Sequence, residues 1–314
     1  MAFYFCPSLE SVVVPKNVEK IGIGAFDGCG SLTFVDVAED NAQFQTIDGV
    51  LLSKDGKTLV IATRSMESER YVVPKTTETI LSGEAFNLCP SLKEIVLSES
   101  VGKVGRAAFA DCSSLTSIVV EESNAEFRSI DGVLFTKDGK TLVRYPAGRK
   151  SRSYTVPEGV EKIESGAFIR CSRLISIVLP ESVESVGDFA FSDCSSLAAI
   201  VLPKNVREIG DAAFCRCFSL RFFNVPENVK SIGNSAFEGC ASLSKITVPE
   251  SVERIDQFAF VSCAKLTSIV IPTSVGEIGP YAFWGCNKLT IRASKGSYAE
   301  QYALENNIKF EPIE

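Results

Sequence analysis

The chain has 314 residues, 45% of them hydrophobic, a formal net charge of −7 and no histidine. The apolar share supports a folded soluble protein, while the acidic balance argues against nucleic acid or an anionic membrane as main partner, since both reward clustered Lys and Arg. No run approaches the ~20 apolar residues of a membrane span, and without histidine the commonest general base and the usual helper of Ser or Cys nucleophiles are missing.

The chain opens mid-phrase on Ala2-Phe3-x-x-Cys6, with no upstream half-coil and no charged-then-apolar signal peptide. It reads either as a fragment of a longer parent or as an array whose first coil is exposed. The phrase Ala-Phe-x-x-Cys ends at Cys6, Cys29, Cys89, Cys112, Cys171, Cys194, Cys217, Cys240, Cys263 and Cys286, and seven of the nine intervals are 23 residues. Self-similarity at that period is the mark of a solenoid, in which one unit is too small to bury its own apolar face. Length alone would suggest two domains, but an array grows as one continuous core, so a single solenoid over 1–314 is expected.

Two intervals, Cys29 to Cys89 and Cys112 to Cys171, are longer, and each holds the same insert, within 39–74 and 122–157. The first runs Asn41-x-x-Phe44-x-x-Ile47-Asp48-Gly49-Val50 and then Lys54-Asp55-Gly56-Lys57; the second runs Asn124-x-x-Phe127-x-x-Ile130-Asp131-Gly132-Val133 and then Lys137-Asp138-Gly139-Lys140. Lys-Asp-Gly-Lys between apolar runs predicts a β-hairpin, because Asp-Gly tolerates the positive φ of a type I′ turn. A polar stretch follows each, 63–70 and 148–153. The second carries Arg149, Lys150 and Arg152 near Arg144, and reads as a solvated loop or a small basic patch.

The regular coil is clearest at Leu197-x-x-Ile200-x-Leu202-Pro203-x-x-Val206-x-x-Ile209-Gly210-x-x-Ala213-Phe214-x-x-Cys217. Ile200-x-Leu202 alternates, which predicts a short strand with two inward side chains. Proline then ends the strand, since it has no N–H for the ladder. Val206-x-x-Ile209 turns the chain back, and Ala-Phe-x-x-Cys is expected as one tight helical or 3₁₀ turn. Ser82, Glu164 and Asp256 replace the glycine of Ile-Gly in other coils, so a positive φ is not obligatory there.

Ten cysteines at one repeat position read as a column of small buried hydrophobes. Equivalent Cβ vectors run parallel, which is poor disulfide geometry, so free thiols are expected. Cys215 is off-register and is expected to be the most exposed. No metal or cofactor is indicated: Cys215-Arg216-Cys217 is a lone pair, and neither Asp55-Gly56 nor Asp138-Gly139 opens a spaced series of oxygen ligands. At the C-terminus, 290–314 is expected to close the array. Ser297-x-x-Glu300 is a capping box for a helix through Tyr298, Tyr302 and Leu304, Asn306-Asn307 ends it, and Ile308-Lys309-Phe310 can pair as a last strand.

The pattern Leu-x-x-Ile-x-Leu-Pro-x-x-Val-x-x-Ile-Gly-x-x-Ala-Phe-x-x-Cys resembles the BspA-like branch of leucine-rich repeats, over nearly the whole chain. It departs from the commoner repeat in having Pro after the strand where Asn or Cys would form an internal ladder. The resemblance implies a leucine-rich-repeat solenoid, a right-handed β/α-type superhelix. Parallel strands would line one face and short helical or 3₁₀ turns the other, with two inserted hairpins and a C-terminal helix cap. It also implies a cell-surface or secreted protein linked with attachment to host proteins.

With no phosphate-cradling Gly loop and no singled-out carboxylate pair, a non-enzymatic role is expected. The residue between each strand's inward pair faces out, and the residue two earlier shares that face. Phe34, Val96, Val119, Val178, Val201, Phe222, Asn224, Thr247 and Val270 are thereby candidate partner-binding residues. Valine suits a parallel sheet by propensity alone, and an exposed low-charge apolar stripe equally suits a partner surface. Two functions stay open: a recognition module for a protein or glycoprotein, or a structural spacer presenting another domain. Self-association through the open first coil is a third possibility.

Overall fold

Alternation decides how each coil begins. In Ala199–Val201, Ile200 is buried while Val201 is 78% exposed, and Leu202 turns inward again before Pro203. In the computed structural model, which describes residues 2–83, 85–86, 89–110 and 112–313, such strands pair in parallel with the equivalent strand 23 residues away. Cα-contact density divides the chain into two units, residues 1–139 with 144–149, and residues 140–143 with 150–314.

In the first unit, Ser11–Val14 pairs with Phe34–Val37, and Glu94–Leu97 lies between Arg70–Val72 and Ser117–Val120. In the second, Ser176–Val178 lies between Ser153–Thr155 and Ala199–Val201; Phe222–Asn224 pairs with Lys245–Thr247, and Ser268–Val270 with Thr290–Ser294. The return bend is more ordered than the sequence indicated. Two-residue strands such as Lys162–Ile163, Ser185–Val186 and Glu208–Ile209 form a second parallel ladder there.

The opposite wall departs from expectation. Ala-Phe-x-x-Cys forms hydrogen-bonded turns and not a helical or 3₁₀ turn. Before Cys217, the amides of Ala213, Cys215 and Cys217 donate within the coil, to Gly210, Ala212 and Phe214. The alternate amides of Ala212, Phe214 and Arg216 donate instead to Asn234, Ala236 and Glu238 of the next coil, at 2.7–2.8 Å. Ala212 and Arg216 reach across because they adopt φ of 52° and 57°. A helix would keep every amide inside its own coil, so coil-to-coil bonding wins.

The core is a column of rings. Phe168, Phe191, Phe214, Phe237, Phe260 and Phe283 stack at centroid spacings of 5.2–5.4 Å. All eleven cysteines are free thiols, with Cys6 and Cys215 half-buried and the others buried. The thiols of Cys194, Cys217, Cys240, Cys263 and Cys286 each donate to the phenylalanine carbonyl of the preceding coil at 3.1–3.2 Å. Gly210 serves a close approach rather than a special φ: a Cβ there would lie 2.4 Å from the Asp188 nitrogen.

The hairpin expected at Lys54-Asp55-Gly56-Lys57 forms, but the type I′ turn stands at an earlier Asp-Gly that adds a strand to each insert. Phe44–Ile47 and Val50–Ser53 are antiparallel, with Ile47 opposite Val50. The two residues between them, Asp48 and Gly49, both have positive φ, 48° and 78°. That is the type I′ signature, and Asp131-Gly132 repeats it at 48° and 72°. At 54–57 only Gly56 is left-handed; Ser53 Oγ donates to Asp55 Oδ1, which also accepts the Lys57 amide. This wider connection joins Val50–Ser53 to Thr58–Ala62, so the first insert is a three-stranded antiparallel meander.

The insert's anchor is a buried asparagine. Asn124 Oδ1 accepts the amides of Glu126 and Phe127 at 2.9 and 2.7 Å, while Nδ2 donates to the carbonyls of Ser98 and Val101 at 2.8 and 2.9 Å. Asn41 makes the same four bonds. Every lone pair and proton of the amide is used. Asn124→Leu removes four hydrogen bonds and leaves the Glu126 and Phe127 amides and the Val101 carbonyl without this partner, and is expected to cost roughly 2–4 kcal/mol in urea unfolding; a loss below about 0.5 kcal/mol would contradict this role.

The C-terminal cap forms as its signals indicate. Ser297 accepts the Glu300 amide at the start of the helix Tyr298–Glu305, while Glu300 Oε2 accepts from Gly296 rather than from Ser297. Asn307, at φ 54°, ends the helix, with Asn307 and Ile308 amides donating to Leu304 and Ala303. Lys309–Ile313 then pairs in parallel with Thr290–Ser294. No helix among the described residues is long and apolar enough to cross a membrane.

Candidate binding surfaces

In the second unit the strands bring six of the nine candidate residues onto one face. Val178 lies directly beside Val201, and Asn224 beside Thr247. Val178 is 58% exposed, Phe222 is 61% exposed, and Asn224, Thr247 and Val270 are also open to solvent. Of the residues two earlier, Ala199 and Ser268 are small and exposed, Ser176 is half-buried, and Phe222 and Lys245 are large and exposed. No charge lies within the Val178–Val201 pair, so a partner would meet apolar surface with little desolvation cost.

The first unit is different. Phe34 is exposed, but Val119 is half-buried and Val96 only 6% exposed, so the expectation that Val96 faces solvent is corrected. Val96 lies in the middle strand, with Val72 and Val119 in register on either side. The strand carrying Val119 is closed at its free edge by the second insert, whose Gly132 carbonyl accepts the Ile118 amide at 2.9 Å. Strand alternation alone does not reveal that cover.

Several exposed acids are spent on neighbours. A hydrogen bond from Lys230 holds Glu253 below the usual carboxylate range, and one from Ser53 does the same for Asp55. Such exposed pairs contribute little stability. Burial pushes Cys89 up to about 12 and Cys215 to about 11, which makes these two thiols poor nucleophiles. Among the described residues no group of three or more His, Cys, Asp or Glu is placed to hold a metal.

Sequence reasoning missed one surface. Phe258, Tyr281 and Trp284 are exposed on the turn wall. The signal was present: the position before Ala-Phe holds Gly, Ala or Ser in five coils but an aromatic at Phe189, Phe258 and Tyr281, the last two in consecutive coils.

The sequence matches the profile described as "BspA type Leucine rich repeat region (6 copies)" over residues 1–50, 64–140, 148–256 and 208–313. Among curated proteins none matches it. A solved leucine-rich repeat protein from Eubacterium ventriosum is 25% identical, covering 90% of this chain and 78% of its own, with a TM-score of 0.58. A leucine-rich cell surface protein from Faecalibacterium prausnitzii is also 25% identical, over 95% and 83%, with a TM-score of 0.51. The pneumococcal vaccine antigen PcpA shares the fold at 23% identity and a TM-score of 0.57, over 98% of this chain and 68% of that one. Ring column, strand register and sequence profile agree: this chain belongs to the BspA-type leucine-rich-repeat family.

Proposed function

We propose that this chain is a non-enzymatic binding module of a surface or secreted protein, and that it contacts a partner protein through the strand face of its second unit. The observation that carries the reading is the run of exposed apolar side chains, Val178, Val201 and Phe222, on three successive strands, with Val270 beyond the strand that carries Lys245 and Thr247. Strand propensity accounts for valine and phenylalanine alike, but not for leaving the large ring of Phe222 open to water beside an already buried Phe223. Exposed apolar strips of this kind mark contact surfaces, and aromatic residues within them carry most of the binding energy. Similarity to a cell surface protein and to a vaccine antigen supports the location.

The test is capture from extracellular-matrix and cell-surface material by the wild-type chain and by Val178→Glu/Val201→Glu/Phe222→Glu. These positions are exposed, so folding should change by no more than about 0.5 kcal/mol each. Retention of a defined ligand is expected to fall at least tenfold, equivalent to about 1.4 kcal/mol. Equal capture by both chains would leave the strand face as a scaffold and refute the proposal.

A further inference from the structure

A cleft of about 670 Å³ lies between the last coil and the C-terminal cap, lined by Tyr281, Trp284, Asn287, Lys288, Asn307 and Lys309 among others. That size suits a small ligand. Tyr281 and Trp284 are 60% and 66% exposed. One face of Tyr281 is covered by Phe258, whose ring is parallel at 5.7 Å, and Tyr281 also lines the cleft.

Two features separate this place from an ordinary surface. Tyr281 and Phe258 hold φ of 56° and 59°, as Phe189 does at 55°, where other equivalent positions carry Gly24, Gly166, Ala107, Ala212 or Ser235; here two such aromatics stand in consecutive coils with their rings stacked. The left-handed φ belongs to the repeat, so what sets this place apart is the pair of stacked aromatic rings beside the cleft. The charge is the second feature. In a chain of net charge −7, the cleft is lined by two lysines and by no carboxylate. Lys309 is paired with Glu311 at 2.8 Å, which makes Lys288 the cation that meets a ligand.

Flat aromatic faces, carboxamides and a lysine are together the chemistry that recognises a charged sugar. A pyranose offers an apolar C–H face to a ring, hydroxyls to Asn287 and Asn307, and an acidic group to an ammonium. We propose that this cleft binds an acidic glycan, with a pyranose against Trp284 and Tyr281 and its carboxylate or sulfate on Lys288. The site is separate from the strand face and does not depend on it.

Trp284 is the chain's one tryptophan, so its emission reports the site directly. The full chain is titrated with 3′-sialyllactose, with a sulfated disaccharide and with neutral lactose. At least one acidic sugar is expected to give a saturable shift with Kd of about 1 mM or tighter, and lactose one at least tenfold weaker. The arm that responds identifies the acidic group. Lys288→Glu should abolish the preference for the acidic sugar, and Trp284→Ala should remove saturation transfer to the sugar in ligand-observed NMR. Both substitutions are at exposed positions and should leave Tm unchanged. No saturable response in any arm, an equal response to lactose, or undiminished transfer in Trp284→Ala would each overturn the proposal.

Discussion

Between about pH 8 and pH 10 the chain is expected to lose most or all of its stability. Burial pushes Cys89 up to about 12, and holds Cys112, Cys217 and Cys240 above the ordinary thiol range. In an unfolded chain thiols titrate near 8.5. Folding therefore raises these values, so the stabilisation is whole below about pH 8.5 and drains as pH climbs toward the folded values. Each thiol withdraws about 1.4 kcal/mol per pH unit in that window. Four together withdraw about 5–6 kcal/mol per unit, against a usual total of about 5–15. Urea midpoints measured by circular dichroism at successive pH values, with reductant present, check this. A midpoint that stays constant through the window would mean the thiols are not buried as described.

Phe214→Ala is expected to cost roughly 3–5 kcal/mol, as for other fully buried aromatics. Its ring lies between Phe191 and Phe237 at 5.2 and 5.4 Å, and meets Phe223 edge-on at 4.9 Å. Removing it opens a void that neighbouring coils cannot collapse into, because each is pinned by amide bonds on both walls. Chemical denaturation of the two chains gives the difference directly. A cost under about 1 kcal/mol would show that the ring column does not carry the core.

What the sequence made legible was whatever repetition amplifies. Ten copies of Ala-Phe-x-x-Cys located the ring and thiol columns, and Ile200-x-Leu202 gave the strand face and its outward valines. Local turn chemistry was read less well. Two Asp-Gly pairs stand in each insert, and propensity could not say that Asp48-Gly49 would take both positive φ values while Asp55 would not. The turn wall was misread for a related reason: Ala212 and Arg216 are not residues that announce a left-handed backbone, and only the amides of the neighbouring coil require it. Val96 and the cap cleft lay beyond periodicity altogether. The first is covered by what flanks it, and the second exists only where the last coil meets the helix.

The coil-to-coil register has a further outcome. Because residue i meets residue i+23 from Lys162 to Ile209 and again from Ser231 to Ile278, one coil is interchangeable with the next. Excising residues 204–226 would join Pro203 to Glu227 and restore Leu-Pro-x-x-Val across the junction. A gene built this way tolerates unequal exchange, and its product can lengthen or shorten by whole coils while neither the open face nor the closed end is redesigned.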